Sequence, residues 1–372
     1  MSSIYLDYNA STPIAPAVAA AMRPFLEGSY GNPSSGHWAS TPAKLALENA
    51  RRQIAALLGC LAEEVLFTSG GSEANNLALK GIFFRRAGRP AHVITSRIEH
   101  PAVLEPCRFL EGLGARITFV PVDGAGLIDP EDVRKAITHD TSLISIMHAN
   151  NEVGTVQPIA DIARIAHAHG IAMHTDAAQS VGKIPTQVDL LGVDLLSVAG
   201  HKLYAPKGIG ALYVKRGIEV EPLIHGAGHE RGRRAGTESA MLAAALGTAC
   251  EIAQPWIGMP GVRRLRDRFW EGLRQSFGNR VVLNGHLEQR LPNTLNVSFV
   301  GHVGTEILAA MPDVAASTGS ACHAGQAALS PVLQAMRVAP EAGMGAIRFS
   351  LGRATTDEEI DEVIRSLKRV LA

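Results

Sequence analysis

The sequence has 372 residues, of which 46% are hydrophobic, and its 35 Lys and Arg side chains balance its 35 Asp and Glu side chains. This length and composition indicate a globular α/β protein with a large core, and they exclude a disordered or fibrous chain. Because there is no net positive charge, we expect neither nucleic acid nor an anionic membrane as a direct partner.

The chain begins MSSIYLDYNASTP, which has neither the basic nor the apolar region of an export signal. No apolar run reaches the ~18 residues of a membrane span. The four cysteines, Cys60, Cys107, Cys250 and Cys322, form no C-x-x-C pair. Their spacing argues against a disulfide framework and a metal site, and it favours a cytoplasmic protein.

Seven strand-like runs alternate with helical patterns through the first two thirds of the chain. They read EVLFTS, AHVITS, RITFVPV, SLISIMHA, IAMHTD, DLLSVAG and IGALYV. Such alternation predicts βαβ units and a mostly parallel sheet. A helix is predicted to begin at Thr41-Pro42 and to stop near Gly59. The last helix opens with a capping box from Thr356 to Glu359.

Two prolines and several small residues interrupt this pattern in AQPWIGMPG, residues 253–261. We expect residues 1–15 to form an N-terminal segment packed against the smaller domain, residues 16–253 to form a large domain, and residues 254–372 to form a small α+β domain. The small domain is expected to carry a mobile cysteine loop at about residues 314–330.

The segment LFTSGGSEANN predicts a strand, a glycine turn at Gly70-Gly71 and a helix that opens at Ser72. Exposed N–H groups at such a helix start can bind an anion. Neither the dinucleotide fingerprint nor the P-loop pattern is present, so a bound phosphate would belong to another kind of cofactor. The alternative interpretation is an ordinary strand-to-helix turn.

Two charged side chains follow predicted strands. Asp176 ends the strand in IAMHTD, at the edge where open α/β sheets bind ligands, although an Asp there also commonly caps a helix. His201 and Lys202 follow DLLSVAG, where partial desolvation would lower the pKa of the lysine and free its amine to react with a carbonyl. The alternative interpretation of Lys202 is a solvated surface lysine.

Together these residues meet the needs of pyridoxal 5'-phosphate, which requires an amine for its aldehyde, a carboxylate for its pyridine nitrogen and donors for its phosphate. Lys202, Asp176 and the Gly71-Ser72 turn supply the three. His100, in SRIEHPAV, follows another strand and would stack on the ring or move protons, unless it is structural.

Cys322 lies in STGSACHAGQ, among residues that pack poorly and bend easily. A structural thiol usually sits among Leu, Val and Ile, so this loop indicates a thiol that moves and reacts. The alternative is a flexible turn with an incidental cysteine.

The order of many motifs resembles that of the cysteine desulfurases, a group within the class V aminotransferase, fold-type-I family. The motifs are LDYNASTP, GNPSSGH, FTSGGSEANN, IEHPAV, ANNEVGTVQPI, HTDAAQSVGK, GHKLYAPKGIGALY, GHERGRRAGTES and GSACHAG. The resemblance covers nearly the whole chain. It implies a fold-type-I transferase that depends on pyridoxal phosphate, with a seven-stranded sheet in the large domain, and it implies a homodimer.

For the cofactor ring, the resemblance implies Lys202 as the Schiff-base lysine and Asp176 on the pyridine nitrogen. It implies that His100 stacks on the ring and transfers protons. Asn151 and Gln179 would lie near the ring hydroxyl.

For the phosphate, the resemblance implies Gly71, Ser72 and His201, with Thr237 arriving from the neighbouring subunit. Ala199 departs from the family, because many desulfurases have a phosphate-binding serine there. We therefore expect one phosphate contact to be absent or replaced.

For the substrate, the resemblance implies Arg348 as a planar fork for the carboxylate, helped by Asn32. L-cysteine would become L-alanine, and its sulfur would stay on Cys322 as a persulfide until an acceptor protein takes it. His323 replaces the family's small hydroxyl residue, and it would either assist thiolate formation or be solvated. The Cys-His pair also resembles selenocysteine lyases, which are a close alternative.

Two further alternatives stay open. A pyridoxal phosphate aminotransferase or β-lyase would leave Cys322 incidental and release a keto acid. A partner-binding scaffold without enzymatic activity would leave Lys202, Asp176 and His100 without a role. The acceptor is not encoded in any readable motif, so iron–sulfur cluster assembly, tRNA thiolation and other sulfur pathways stay open.

Overall fold

The structure is a computed structural model that describes residues 3–86, 88, 90–318 and 329–372. The predicted sulfur acceptor Cys322, together with His323, lies outside the described residues. No helix within these ranges is long and apolar enough to cross a membrane.

The described residues form twelve strands and thirteen α-helices. The strands are β1 (Ile4–Tyr5), β2 (Val65–Thr68), β3 (His92–Ser96), β4 (Arg116–Val120), β5 (Thr141–Ser145), β6 (Ala172–Asp176), β7 (Leu195–Ala199), β8 (Gly210–Val214), β9 (Val281–Asn284), β10 (Thr294–Phe299), β11 (Val314–Ala315) and β12 (Ala346–Ser350). The helices are α1 (Pro16–Glu27), α2 (Thr41–Leu58), α3 (Gly71–Arg85), α4 (Pro101–Gly112), α5 (Pro130–Ala136), α6 (Ile159–Ala168), α7 (Val188–Leu191), α8 (Ala240–Ala253), α9 (Pro260–Phe277), α10 (Gly304–Ala309), α11 (Pro331–Ala335), α12 (Pro340–Gly343) and α13 (Asp357–Val370).

The seven predicted runs form one sheet in the order β2-β8-β7-β6-β5-β3-β4. In this sheet β8 is antiparallel to both of its neighbours, and the other pairs are parallel. The predicted mostly parallel, seven-stranded sheet is therefore confirmed. Because β2 and β7 both run opposite to β8, the carboxyl ends of six strands meet at one edge, where open α/β sheets bind ligands.

Both faces of this sheet are buried. Successive side chains of a strand point to opposite faces, and Leu195 and Leu196 in β7 belong to two different hydrophobic clusters. Helices α3 and α4 contribute to the cluster on the face of Leu195, and α2, α6 and α8 contribute to the cluster on the face of Leu196. Burial on both faces explains why these strands read as continuous apolar runs instead of alternating patterns.

Two predicted helix boundaries are confirmed by their caps. Gly59 follows α2 with a φ of +69°, a left-handed conformation that favours glycine and ends the helix. At the start of α13, the Thr356 hydroxyl accepts the Glu359 N–H at 3.3 Å, and the Glu359 carboxylate accepts the Thr356 N–H at 3.0 Å. This reciprocal pair is the predicted capping box.

A separate hydrophobic cluster brings the two ends of the chain together. It combines Ile4 and Leu6 with side chains of α9, α13 and the antiparallel sheet β9-β10-β12. Strand β1 pairs in parallel with β11, and Ile4 lies opposite Val314. The three predicted parts of the chain and their boundaries stay a prediction.

Candidate active site

A cavity of about 330 Å³ opens at the edge where the parallel strands end. Its lining comes from the segments that follow β2, β3, β5, β6 and β7, together with Ala10 of the N-terminal segment. Eight predicted site residues line it: Gly71, Ser72, His100, Asn151, Asp176, Gln179, His201 and Lys202. Residues far apart in sequence therefore share one site because parallel strands carry their carboxyl ends to a common edge.

The glycine turn brings backbone into this cavity at the start of α3. A Cβ atom added at Gly71 would lie 3.2 Å from the Cβ of Ala199, so the site has little room for a side chain there. The acidic residue of the first helical turn does not enter the cavity lining. Glu73 instead accepts the Ser69 N–H at 2.7 Å and pairs with Arg234 at 2.9 Å. The helix start therefore keeps the character of an anion site.

Asp176 ends β6 and is 6% exposed. One of its oxygens accepts the Ala178 N–H at 2.9 Å, and the other accepts the Nδ2 amide of Asn75 at 2.7 Å. Asn75 is fully buried in α3 and lines the same cavity. Sequence reasoning missed this residue, although an asparagine inside a helix is a poor helix former and lies four residues, one turn, after Gly71.

The amino group of Lys202 rests on the N-terminal segment. It donates hydrogen bonds to the backbone oxygen of Asn9 and, at 3.0 Å, to that of Ala10. Burial and the nearby Arg348 guanidinium lower the pKa of Lys202 to about 8, against the opposing effect of Asp176 and Asp7. The predicted desolvation of this lysine is therefore present. The two carbonyl oxygens that hold it were not foreseen.

Two histidines in the cavity are biased toward their neutral forms. The ring nitrogen Nδ1 of His100 accepts the Ala102 N–H at 3.0 Å, which leaves the proton of the neutral ring on Nε2. Burial lowers the pKa of His100, with Asp176 opposing that effect and Lys202 adding to it. Burial and the Lys202 amine likewise lower the pKa of His201 to about 4.

Arg348 lies in β12 and is 8% exposed. Its guanidinium donates to the Asp7 carboxylate at 2.7 Å and to the Asn151 backbone oxygen at 3.0 Å. Its Nε is buried and has no hydrogen-bond partner among the described residues. The predicted carboxylate fork is thus packed directly behind Asn151 and is already paired with Asp7, an acidic partner that sequence reasoning missed.

The remaining predicted residues lie away from the cavity. Thr237 lines a second cavity of about 150 Å³, together with Ser69 and Arg234. Asn32 is exposed, and its side-chain oxygen accepts the Ser34 N–H at 2.8 Å. One subunit, as described, therefore brings together the residues expected at the cofactor but neither Thr237 nor Asn32.

The family sequence model described as aminotransferase class-V matches residues 4–363. The chain belongs to the class-V aminotransferase family. A curated relative named cysteine desulfurase IscS, from Dictyoglomus turgidum, is 46% identical over 372 residues, which cover 99% of this chain and 94% of the relative.

Two solved structures share the fold. One, described as a NifS-like protein, is 37% identical with a TM-score of 0.93, and the match covers 99% of both chains. The other, described as SspA in complex with cysteine, is 40% identical with a TM-score of 0.85, and the match covers 94% of this chain and 99% of that one. The predicted family and fold are confirmed.

The lowered pKa of Lys202 makes its reactivity testable in cofactor-free protein. Reductive methylation with formaldehyde and cyanoborohydride, read at each lysine by peptide mass spectrometry, should label Lys202 with a pH midpoint near 8. Exposed lysines should follow the ordinary value of about 10.4. The reason is that only the neutral amine attacks the aldehyde. Labelling of Lys202 that rises together with the exposed lysines would show that its amine is not desolvated.

Proposed function

We propose that this protein is a pyridoxal phosphate-dependent cysteine desulfurase that converts L-cysteine to L-alanine and passes the sulfur to Cys322 for delivery to an acceptor protein. The observation that carries the proposal is the convergence of the Lys202 amine, the Asp176 carboxylate and the start of α3 in one cavity. Family membership and the curated relatives named as cysteine desulfurases give the same activity.

The residues present fit this cofactor. The cavity volume lies within the range of small-molecule sites. The start of α3 offers N–H donors for a phosphate. A side chain at Gly71 would crowd Ala199, so the backbone of the turn is what faces the cavity there. Bound pyridoxal phosphate supplies an electrophilic aldehyde and a ring that accepts electrons from the substrate Cα.

Asp176 would hold the proton of the pyridine nitrogen. One of its oxygens is occupied by Asn75 and the other by the Ala178 N–H, and each keeps a second lone pair for this proton. Lys202 would hold the cofactor, and then its freed amine would remove the proton from the substrate Cα. A lysine with a pKa of about 8 is well suited to that role, because a useful fraction of it is neutral near neutral pH.

The substrate carboxylate would bind Arg348. The guanidinium has N–H groups that neither Asp7 nor the Asn151 backbone oxygen uses, and these are donors for a carboxylate. Arg348 is buried with an ion-pair partner in place, so its side chain does not need to be ordered when the substrate arrives. The solved structure described as SspA in complex with cysteine supports L-cysteine as the substrate.

Cys322 would take the sulfur. Its thiolate forms a bond to the substrate sulfur while the Cβ–S bond breaks, the electron pair stays on Cβ, and protonation there completes alanine. The other three cysteines are poor substitutes: burial raises the pKa of Cys60 and Cys107 to about 12 and raises that of Cys250 still further. None of these three lines the cavity. All three are free thiols, which supports a cytoplasmic protein.

A homodimer would complete the phosphate site with Thr237 of the neighbouring subunit. Two observations support this proposal. Thr237 lines a separate cavity in its own subunit. The loop around Asn32 also exposes two large aromatic side chains, Tyr30 at 84% and Trp38 at 83%, and exposed aromatic side chains are enriched where proteins associate.

The sulfur-acceptor role predicts the behaviour of Cys322→Ser, which keeps side-chain size but is a far poorer nucleophile toward sulfur. The variant should still bind L-cysteine and change the cofactor's absorbance, while alanine formation should fall by at least ~100-fold. In the wild-type enzyme, brief exposure to L-cysteine should add one sulfur to the peptide that carries Cys322. Alanine formation by the variant at the wild-type rate would exclude Cys322 as the acceptor.

An assay of the wild-type enzyme and Cys322→Ser with L-selenocysteine distinguishes a cysteine desulfurase from a selenocysteine lyase. Loss of both activities in Cys322→Ser supports the desulfurase. Retained alanine formation from selenocysteine alone would favour a selenocysteine lyase, and a keto acid product would favour an aminotransferase or β-lyase.

The position of Thr237 predicts complementation between subunits. Mixed dimers that combine a Lys202→Ala subunit with a Thr237→Ala subunit should contain one intact site, built from Lys202 of the second subunit and Thr237 of the first. Titration should therefore show one cofactor bound per dimer with wild-type affinity, whereas each homodimeric variant should bind it more weakly. Absence of any wild-type site in the mixed dimer would place Thr237 in the cofactor site of its own subunit, and wild-type affinity in the Thr237→Ala homodimer would exclude Thr237 from the cofactor site.

A further inference from the structure

Lys183 is a buried lysine that the proposed reaction does not use. It is 6% exposed and follows β6 by seven residues, in the turn after Gln179. Within the described ranges it has no ion-pair partner, and its amino group donates to two neutral amide oxygens: Oε1 of Gln179 at 3.0 Å and Oδ1 of Asn9 at 3.2 Å. Burying an amine without a carboxylate partner costs desolvation free energy that an apolar side chain of similar size would not. This cost indicates a role of Lys183 beyond packing.

The two contacts fix the orientation of the Gln179 amide. Protonated lysine is purely a donor, so it pairs with the oxygen of the Gln179 amide. On its other side, Gln179 donates from Nε2 to the backbone oxygen of Asn9 at 2.9 Å. A flipped amide would turn its oxygen toward a carbonyl oxygen and its NH₂ toward a donor. The orientation is therefore set by the chemistry of its neighbours.

The orientation decides what Gln179 offers to a ligand. Its Nε2 has two hydrogens, of which Asn9 takes one, and Gln179 lines the candidate active site. With Oε1 held by Lys183, the group left for the cavity is an N–H donor, which suits an oxygen bearing negative charge.

We propose that Lys183 is a positioning residue that holds the Gln179 amide with an N–H toward the cavity, where it binds the ring oxygen of the cofactor. This inference rests on the proposed function, because it takes that oxygen as the ligand atom. Lys183 touches neither cofactor nor substrate in this account and acts only through Gln179.

The charge state of Lys183 does not alter this arrangement. Burial, together with the nearby Lys202 amine and Arg348 guanidinium, lowers the pKa of Lys183 to about 7. A protonated amine has three N–H donors and a neutral amine has two, so either form can serve both amide oxygens. The neutral amine can also accept a hydrogen bond, but the Asn9 backbone oxygen only accepts, so it keeps Nε2 of Gln179 on its own side. The side-chain oxygen Oδ1 of Asn9 also accepts a hydrogen bond from Nδ2 of Asn293 at 3.0 Å. This second hydrogen bond fixes the position of the Asn9 side chain.

A double-mutant cycle on the cofactor-loaded enzyme tests the proposal. Lys183→Met removes the donor at similar size, Gln179→Leu removes the amide, and Lys368→Met on the exposed side of α13 is the control for a lysine-to-methionine change. The readouts are the dissociation constant of pyridoxal phosphate and the visible absorbance maximum of the bound cofactor. Thermal unfolding of each cofactor-free variant measures the purely structural effect.

Lys183→Met should weaken cofactor binding by roughly three- to tenfold, the effect of one hydrogen bond, and should shift the absorbance maximum. In the Gln179→Leu background the same substitution should leave both readouts unchanged, because the residue through which it acts is gone. Lys183→Gln, which keeps an N–H donor, should recover part of the wild-type affinity and absorbance. It also carries the comparison if Lys183→Met does not fold.

Two outcomes would overturn the proposal. The first is wild-type cofactor affinity and absorbance in Lys183→Met. The second is an undiminished effect of Lys183→Met in the Gln179→Leu background, which would indicate a structural role. Failure of the wild-type protein to bind pyridoxal phosphate is a separate result, because it would refute the proposed function and not the role of Lys183 alone.

Discussion

The hydrogen bonds of Asn9 are the constraint on which the rest of the site depends. This residue is fully buried, and its backbone oxygen accepts hydrogen bonds from Lys202 and Gln179. Its side-chain oxygen accepts from Lys183, and its side-chain NH₂ donates to Thr294 at 2.8 Å. One residue of the N-terminal segment thus fixes two buried amines and ties the edge of the large sheet to the sheet that contains β10. Without the Asn9 acceptors, the Lys202 amine would keep only the Ala10 backbone oxygen and the Lys183 amine only Oε1 of Gln179.

The charges around Asn9 explain why the site suits anions. Lys202, Lys183 and Arg348 lie together, and the carboxylates Asp176 and Asp7 interact with Lys202. Burial raises the pKa of the Glu99 carboxyl to about 8, which keeps that group largely protonated near neutral pH. Burial also raises the pKa of Glu152, near Arg348, to about 7. Burial lowers the pKa of both lysines, and the positive charge of Arg348 adds to this effect. A phosphate and a substrate carboxylate would balance this charge, so the same electrostatics that free the Lys202 amine also favour the ligands it serves.

Much of the fold and part of the site could be predicted from the sequence because both depend on patterns within short segments of the chain. A strand buried on two faces appears as an apolar run, and a residue that follows such a strand lies at the shared edge of the sheet. For that reason Asp176, His100 and Lys202 could be placed without a structure.

The supporting contacts could not be predicted, because they join residues distant in sequence. Asn9 meets Thr294 across 285 positions, and Asp7 meets Arg348 across 341 positions. The sequence around Asn9 or Asp7 contains no pattern that identifies the distant partner. Thr237 is a different case, since its predicted role needs a second subunit. The role of Cys322 depends on residues that the structure does not describe.

The central claim is that Lys202 binds the cofactor aldehyde, while Lys183 does not bind the cofactor and instead positions the Gln179 amide. Borohydride reduction of the loaded enzyme, followed by peptide mass spectrometry, tests this directly because it fixes the cofactor to the lysine that binds its aldehyde. The account predicts that the modified peptide carries the cofactor on Lys202 and that Lys183 stays unmodified. Modification of Lys183, or of any other lysine in place of Lys202, would contradict it.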